Sequence, residues 1–244
     1  MAIELLAIKG LSKTIPARVR IEASKDSIEK NCSLNPNTSI SNQVRPGPGP
    51  GIALNMKKIF LVYGHYDDNS FNSAIRDEFI KESKSKGNKV DTVDLYKEKF
   101  NPVFAGEEPD REVLNHRKRI EECDTIVLIA PIWNFRMPAI VEGWIDKVLA
   151  PPWAFRFKQL VGNYGYPIGN LKDKKAIIFC TYGSPRLAIT TFFLNLPIRR
   201  LKRGVFHMCG IYNIVYRRYF AVPFVSDAKR QEFLNDVRKT ANNV

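Results

Sequence analysis

The stretch "PIWNFRMPAIVEGWIDKVL", residues 131–149, opens as an apolar loop and closes as a helix. Before it stands "DTIVLIA", residues 124–130, an apolar run of strand length. Such runs suit strands buried on both faces of a sheet. After the loop, Ile140, Val141, Trp144, Ile145, Val148 and Leu149 fall on one helical stripe and are read as core. Pro138 stands where that helix begins, a position at which its missing N–H costs nothing. A strand that empties through aromatic residues into a helix is half of a strand–helix–strand unit, and the surrounding chain supplies the repeats.

Upstream, "KKIFLVYG" (57–64) is a short apolar run ending in glycine. "SFNSAIRDEFIKESKSKG" (70–87) then places Phe71, Ile75 and Phe79 on one helical face, stopped by Gly87. "KVDTVDL" (89–95) alternates as a strand, and "DREVLNHRKRIEEC" (110–123) is helical. Downstream, "KAIIFCT" (175–181) is a strand, "RGVFHMCGI" (203–211) is expected to begin a fifth, and "DAKRQEFLNDVRKTA" (227–241) is a closing helix. Strands separated by helices of this length pair in parallel through right-handed crossovers. The expected fold is α/β, a doubly wound five-stranded parallel sheet with helices on both faces. Ligands then sit at the carboxyl ends of the strands, near the switch in strand order.

Residues 1–55 read differently. A Ser/Asn-rich stretch, "NCSLNPNTSISNQ", runs into "RPGPGPG", and alternating Pro and Gly joins neither a helix nor a sheet interior. The expectation is an N-terminal extension over 1–55, disordered or linker, and one domain over 56–244. No apolar run approaches the roughly 20 residues of a membrane-spanning helix. The four cysteines are scattered without a C-x-x-C pair, so no metal site is expected and a reducing cytoplasm fits best. The net charge of +13 is uneven: residues 56–149 carry 15 Lys/Arg against 17 Asp/Glu, and residues 150–244 carry 16 against 4. A basic half suits nucleic acid, an anionic membrane surface, a phosphate-bearing small ligand, or simply solvent. No nucleic-acid motif accompanies it, and nucleic-acid binding is not expected.

Three loops share the ligand edge. In "HYDDNSFN" (65–72), Ser70 is a helix N-cap, and the amides of Phe71 and Asn72 are free at the first turn. That makes an anion site suited to phosphate, with His65 and the side chains of Ser70 and Asn72 as further donors. Neither G-x-x-x-x-G-K-[ST] nor G-x-G-x-x-G is present, which disfavours an ATPase or a Rossmann-type dehydrogenase. In "PIWNFRMP" (131–138), stiff aromatic walls and exposed amides suit a flat heteroaromatic ring. Thr181, Tyr182, Gly183 and Ser184 add hydroxyls and amides. A ligand with a phosphate at one end and a flat polar ring at the other touches all three, and flavin nucleotides have that shape.

"GHYDDNSFNSAIRDEF" followed by "PIWNFRMPAIVEGWIDKVL" resembles the flavodoxin-like NAD(P)H:quinone oxidoreductase family, which includes DT-diaphorase and modulator-of-drug-activity type quinone reductases. The likeness continues through "PPWAFRF" (151–157), "CTYGSP" (180–185) and "FHMCGI" (206–211), and covers none of residues 1–55. It implies a flavin (FAD or FMN) as cofactor, NAD(P)H as co-substrate and a quinone-like acceptor. His65, Ser70, Phe71 and Asn72 match the phosphate side; Pro131, Ile132, Trp133, Asn134 and Phe135 the ring; Thr181 to Ser184 its pyrimidine end. The Tyr and His that the family places near the hydride site have no counterpart in "PRLAITTFF" (185–193), so no catalytic side chain is assigned. The resemblance also implies a homodimer, with Trp153, Phe155 and Phe157 as interface residues or, alternatively, as a lid. An azoreductase, a flavodoxin-like electron carrier and an ancillary subunit of an ion-efflux system stay open. Arg199, Arg200, Lys202 and Arg203 suit either the 2′-phosphate of NADPH or solvent.

Overall fold

The computed structural model describes residues 56–106, 108–162 and 164–244; the expected extension over 1–55 lies outside them. A five-stranded parallel sheet is built from β1 (Lys58–Tyr63), β2 (Lys89–Asp94), β3 (Thr125–Ile132), β6 (Lys175–Tyr182) and β7 (Asn213–Tyr219), in the order β2-β1-β3-β6-β7. The chain reverses direction of travel across the sheet between β1 and β3, which makes their carboxyl ends the switch point. Central strands β1, β3 and β6 are almost wholly buried, as their unbroken apolar runs require. Side chains of β1 alternate between two cores. Phe60 and Val62 join Leu128, Trp144 and Ile178 beneath α2 (Arg111–Glu122) and α3 (Ala139–Val148). Ile59, Leu61 and Tyr63 join Ile75, Phe79 and Val237 beneath α1 (Phe71–Ser85) and α5 (Asp227–Ala241).

Two insertions depart from the expected alternation. Between α3 and β6 stands an antiparallel hairpin, β4 (Phe155–Val161) and β5 (Tyr164–Gly169). Between β6 and β7 runs a helical segment made of the π-helical turn Ala188–Phe192, the short helix α4 (Leu196–Arg199) and a second π-helical stretch, Arg200–Phe206. The fifth strand is therefore corrected: residues 203–211 are not its start, and it runs from Asn213. Helical spacing of Pro197, Leu201 and Val205 buries one face, Cys209 donates to the Val205 carbonyl (3.1 Å), and Gly210 at φ 89° ends the turn. The aromatic stretch 151–157 divides as well. Trp153 folds back, its indole donating to Glu121 Oε1 (2.8 Å) beneath the Arg117 guanidinium, and Phe155 packs on the core. Phe157 stays 59% exposed on the hairpin.

Candidate functional site

The loop after β1 is held by its own polar groups. Asp67 N–H donates to His65 Nδ1 (3.1 Å), Asn69 N–H to Asp67 Oδ1 (2.8 Å), and the Tyr63 hydroxyl lies 3.3 Å from Ser70 Oγ. Ser70 caps α1 by accepting from Ser73 N–H (3.2 Å). The amides of Phe71 and Asn72 have no acceptor among the described residues, as expected for a first helical turn. The field there is mixed, because Asp68 is exposed beside the cap. Lys97 and Arg76 hydrogen-bond its carboxylate and hold it below the usual range. At the foot of the loop, a Cβ on Gly64 would stand 2.1 Å from Val141 Cγ2, so the strand end and α3 approach as only glycine allows.

The loop after β3 is a two-residue turn. Trp133 N–H donates to Arg136 O (2.7 Å) and Arg136 N–H to Trp133 O (2.9 Å). Asn134 (φ 48°) and Phe135 (φ 63°) occupy left-handed backbone between them, the pattern type I′ turns require. Asn adopts that region readily; a phenylalanine there is strained, and such strain collects at ligand-binding turns. The amides of Asn134 and Phe135 carry no acceptor among the described residues, and the Trp133 ring is 41% exposed. The turn is anchored from below by Glu142, whose Oε1 accepts from Met137 N–H (2.8 Å) and whose carboxylate pairs with Arg200 of the second π-helical stretch.

The structure brings these loops together and separates some expected roles. His65 meets Trp133 edge-on at 6.0 Å between ring centroids. Pro131 and Ile132 pair in register with Thr181 and Tyr182. Asn72, expected as a ligand donor through its side chain, instead donates Nδ2 to Thr181 Oγ1 (3.0 Å). The Thr181 hydroxyl lies 3.2 Å from Asn72 Oδ1 in return. Both are buried and tie the first loop to the third. Phe71 packs its ring against Tyr219 and Phe233, and Tyr182 stacks on Phe220 in the core, so these residues offer backbone rather than side chain. Gly183 and Ser184 are exposed, with open space above Gly183. Three contributors were missed in the sequence. Tyr66 stacks on His65 at 4.8 Å and stands 6.1 Å from Trp133; its place beside His65 was the available signal. Glu142 had the first-turn position as its signal, and Phe193, 4.4 Å from Phe135, had none.

Glu98, Glu112 and His116 form a separate cluster whose ligand-type atoms lie within 4.8 Å of one another. Trp144 Nε1 donates to His116 Nδ1 (3.1 Å), so the neutral ring keeps its proton on Nε2, 3.5 Å from Glu98. A cation would have to displace that proton, and the group reads as a buried histidine held by Trp144 beside two more exposed carboxylates.

The donor set fits a flavin nucleotide. Unpaired amides at a helix start suit its phosphate, while unpaired amides of a rigid turn beside exposed aromatic rings suit its isoalloxazine. The chain is 26% identical over 207 residues to the ribosyldihydronicotinamide dehydrogenase [quinone] of Rattus norvegicus, covering 73% of this chain and 87% of that protein. The crystal structure of Smu.1420 from Streptococcus mutans superposes with a TM-score of 0.67 at 29% identity, covering 77% of this chain and all of the other. An FMN-dependent NADH-azoreductase from Bacillus anthracis, solved with FMN, shares the fold at a TM-score of 0.60 and 16% identity, over 76% and 98% of the two chains. The family model described as flavodoxin-like fold matches residues 57–241, and the chain belongs to that family.

Proposed function

We propose that the protein is a flavin-dependent NAD(P)H oxidoreductase that reduces quinone-like acceptors. The observation that carries this reading is that two loops with unpaired amides, at Phe71–Asn72 and at Asn134–Phe135, follow β1 and β3 at the switch point, with His65 of the first loop 6.0 Å from Trp133 of the second. Bound there, a flavin supplies two-electron transfer from the nicotinamide to the quinone. The chain's own part is positional. The α1 start holds the phosphate, the Asn134–Phe135 amides donate to the ring's polar edge, and His65, Tyr66 and Trp133 form an apolar wall that limits water. Amide donors aimed at the ring favour negative charge on it. No catalytic acid or base is assigned to a side chain, and the proton that accompanies the hydride to the quinone is taken from solvent. Nicotinamide and quinone take turns at one face, and their initial-rate plots are expected to be parallel.

The homodimer belongs to this proposal. The hairpin carries Phe157, Leu160, Val161, Tyr164 and Tyr166 at 56% exposure or more, and a two-stranded hairpin is not stable without packing. A second copy is the natural cover, with the hairpin reaching toward its site. The described cysteines, Cys123, Cys180 and Cys209, are unpaired and buried, which supports a cytoplasmic setting. The test is heat release of cofactor from the purified protein, then NAD(P)H oxidation with a soluble quinone. A colourless protein that binds neither FMN nor FAD would overturn the reading. A flavoprotein that turns over azo dyes but no quinone would move it to azoreductase.

A further inference from the structure

Residues 174–226 carry nine Lys/Arg and no Asp or Glu. The helical run through α4 and the second π-helical stretch sorts by face. Pro197, Leu201 and Val205, at i, i+4 and i+8, are buried. Leu196, Arg199 and Arg203, at i, i+3 and i+7, are exposed, with Lys202 beside them. Just before this helix, large apolar side chains face outward: Leu187 is 72% exposed, Phe192 81% and Leu194 63%, and Leu196 continues them at 54%. Single exposed apolar residues are ordinary, but four within ten positions form a patch that marks an interaction surface. The patch adjoins the site, because Phe192 leans on Phe193 (4.9 Å) and Phe193 on Phe135 (4.4 Å).

We propose that this ridge docks the protein on an anionic lipid bilayer. Leu187, Phe192, Leu194 and Leu196 enter the boundary between headgroups and acyl chains, and Arg199, Lys202 and Arg203 lie against lipid phosphates. An apolar edge backed by a cationic face is the pattern of segments that lie in a membrane interface. Charge selects the occupant. Lys174, Arg200 and Arg217 of this stretch are paired with acids from outside it, but Arg199, Lys202 and Arg203 enter no ion pair among the described residues. Such an uncompensated cationic face suits a diffuse anionic plane better than a folded partner, which mixes both signs. Docking is peripheral, since among the described residues no helix is long and apolar enough to cross a membrane. Its use rests on the quinone reading: acceptors with lipid tails reach the Phe135 edge without crossing water.

The test is sedimentation of the full chain with phosphatidylglycerol/phosphatidylcholine vesicles and with pure phosphatidylcholine vesicles. Binding to the anionic vesicles is expected to be at least tenfold tighter and to weaken in high salt. Neutralising Arg199, Lys202 and Arg203 to Ala is expected to weaken it by about fivefold per charge. Phe192→Ser with Leu194→Ser is expected to weaken it further, including at high salt, where the apolar contribution dominates. Three outcomes overturn the proposal. The protein ignores anionic vesicles; both variants bind like the parent, placing the affinity elsewhere in the chain; or the Phe192/Leu194 variant binds normally but turns a dimer into a monomer, making the ridge a subunit interface. Vesicle binding is read without turnover. A chain that binds vesicles and releases no flavin therefore sinks the oxidoreductase reading alone, and a flavoprotein that ignores vesicles sinks the docking alone.

Discussion

At the residue scale, the turn at Asn134 is where sequence and geometry agree most closely. Asn tolerates its φ of 48°, and its amide and side chain are exposed. Asn134→Leu puts a bulky side chain in left-handed backbone, which costs about 1–2 kcal/mol. It is expected to weaken flavin binding at least tenfold while the fold survives, as flavin titration and thermal unfolding together will show; unchanged affinity would remove the turn from the site. His116 carries a different expectation. Burial pushes its pKa down to about 4, with Arg119 adding to the shift against the opposing fields of Asp110 and Asp91. The unfolded chain then binds a proton between pH 6.5 and 4 that the folded chain refuses, so stability present above pH 6.5 is lost as pH falls. By pH 5 that loss is about 2 kcal/mol. Urea unfolding at pH 7.5 and 5 is expected to show a smaller loss for His116→Gln, which keeps an acceptor for Trp144. The pairing of Asn72 with Thr181 was hidden in the sequence because they stand 109 residues apart. They meet because β1, which leads into α1, pairs with β3, and β3 in turn pairs with β6.

At the scale of elements, capping made α1 legible: Ser70 accepts from Ser73 N–H, and the periodic Ile75 and Phe79 are buried. Ser70→Ala is expected to cost about 1 kcal/mol in unfolding free energy. The segment after β6 was not legible. Val205, Phe206 and Ile211 have strand-like composition, and composition outweighed the helical spacing of Leu201, Val205 and Cys209. Nothing local distinguishes a π-helical stretch, which is rare and fixed by its tertiary contacts. One such contact is the Glu142–Arg200 pair, whose carboxylate side chain is 13% exposed. Glu142→Gln keeps a partner for Met137 N–H but loses the charge. It is expected to lower stability by about 1–2 kcal/mol and to speed hydrogen exchange in residues 133–138 and 200–206 together. Faster exchange in one segment alone would mean that the pair does not couple them.

At the scale of the whole molecule, the five-stranded sheet was readable because its central strands are buried on both faces and spell that out as apolar runs. The hairpin was unreadable for the opposite reason, since β4 and β5 face solvent along most of their length and obey no burial pattern within one chain. The extension before Met56 is expected to be dispensable, with no periodic apolar face and a Pro/Gly run separating it from β1. A chain beginning at Met56 should fold and hold flavin like the full one, and loss of either would show that the extension packs on the domain. The hairpin makes the larger claim. Five large apolar side chains in one arm are more than a monomer leaves to water, and the same patch on a second copy can cover them by two-fold symmetry. Phe157→Ser with Tyr164→Ser should then shift the protein from dimer toward monomer in sedimentation at micromolar concentration. Flavin affinity should fall with it, since each site is expected to be completed by its neighbour. Two further results would sink this arrangement: a parent protein that is already monomeric with flavin fully bound, or a double variant that stays dimeric.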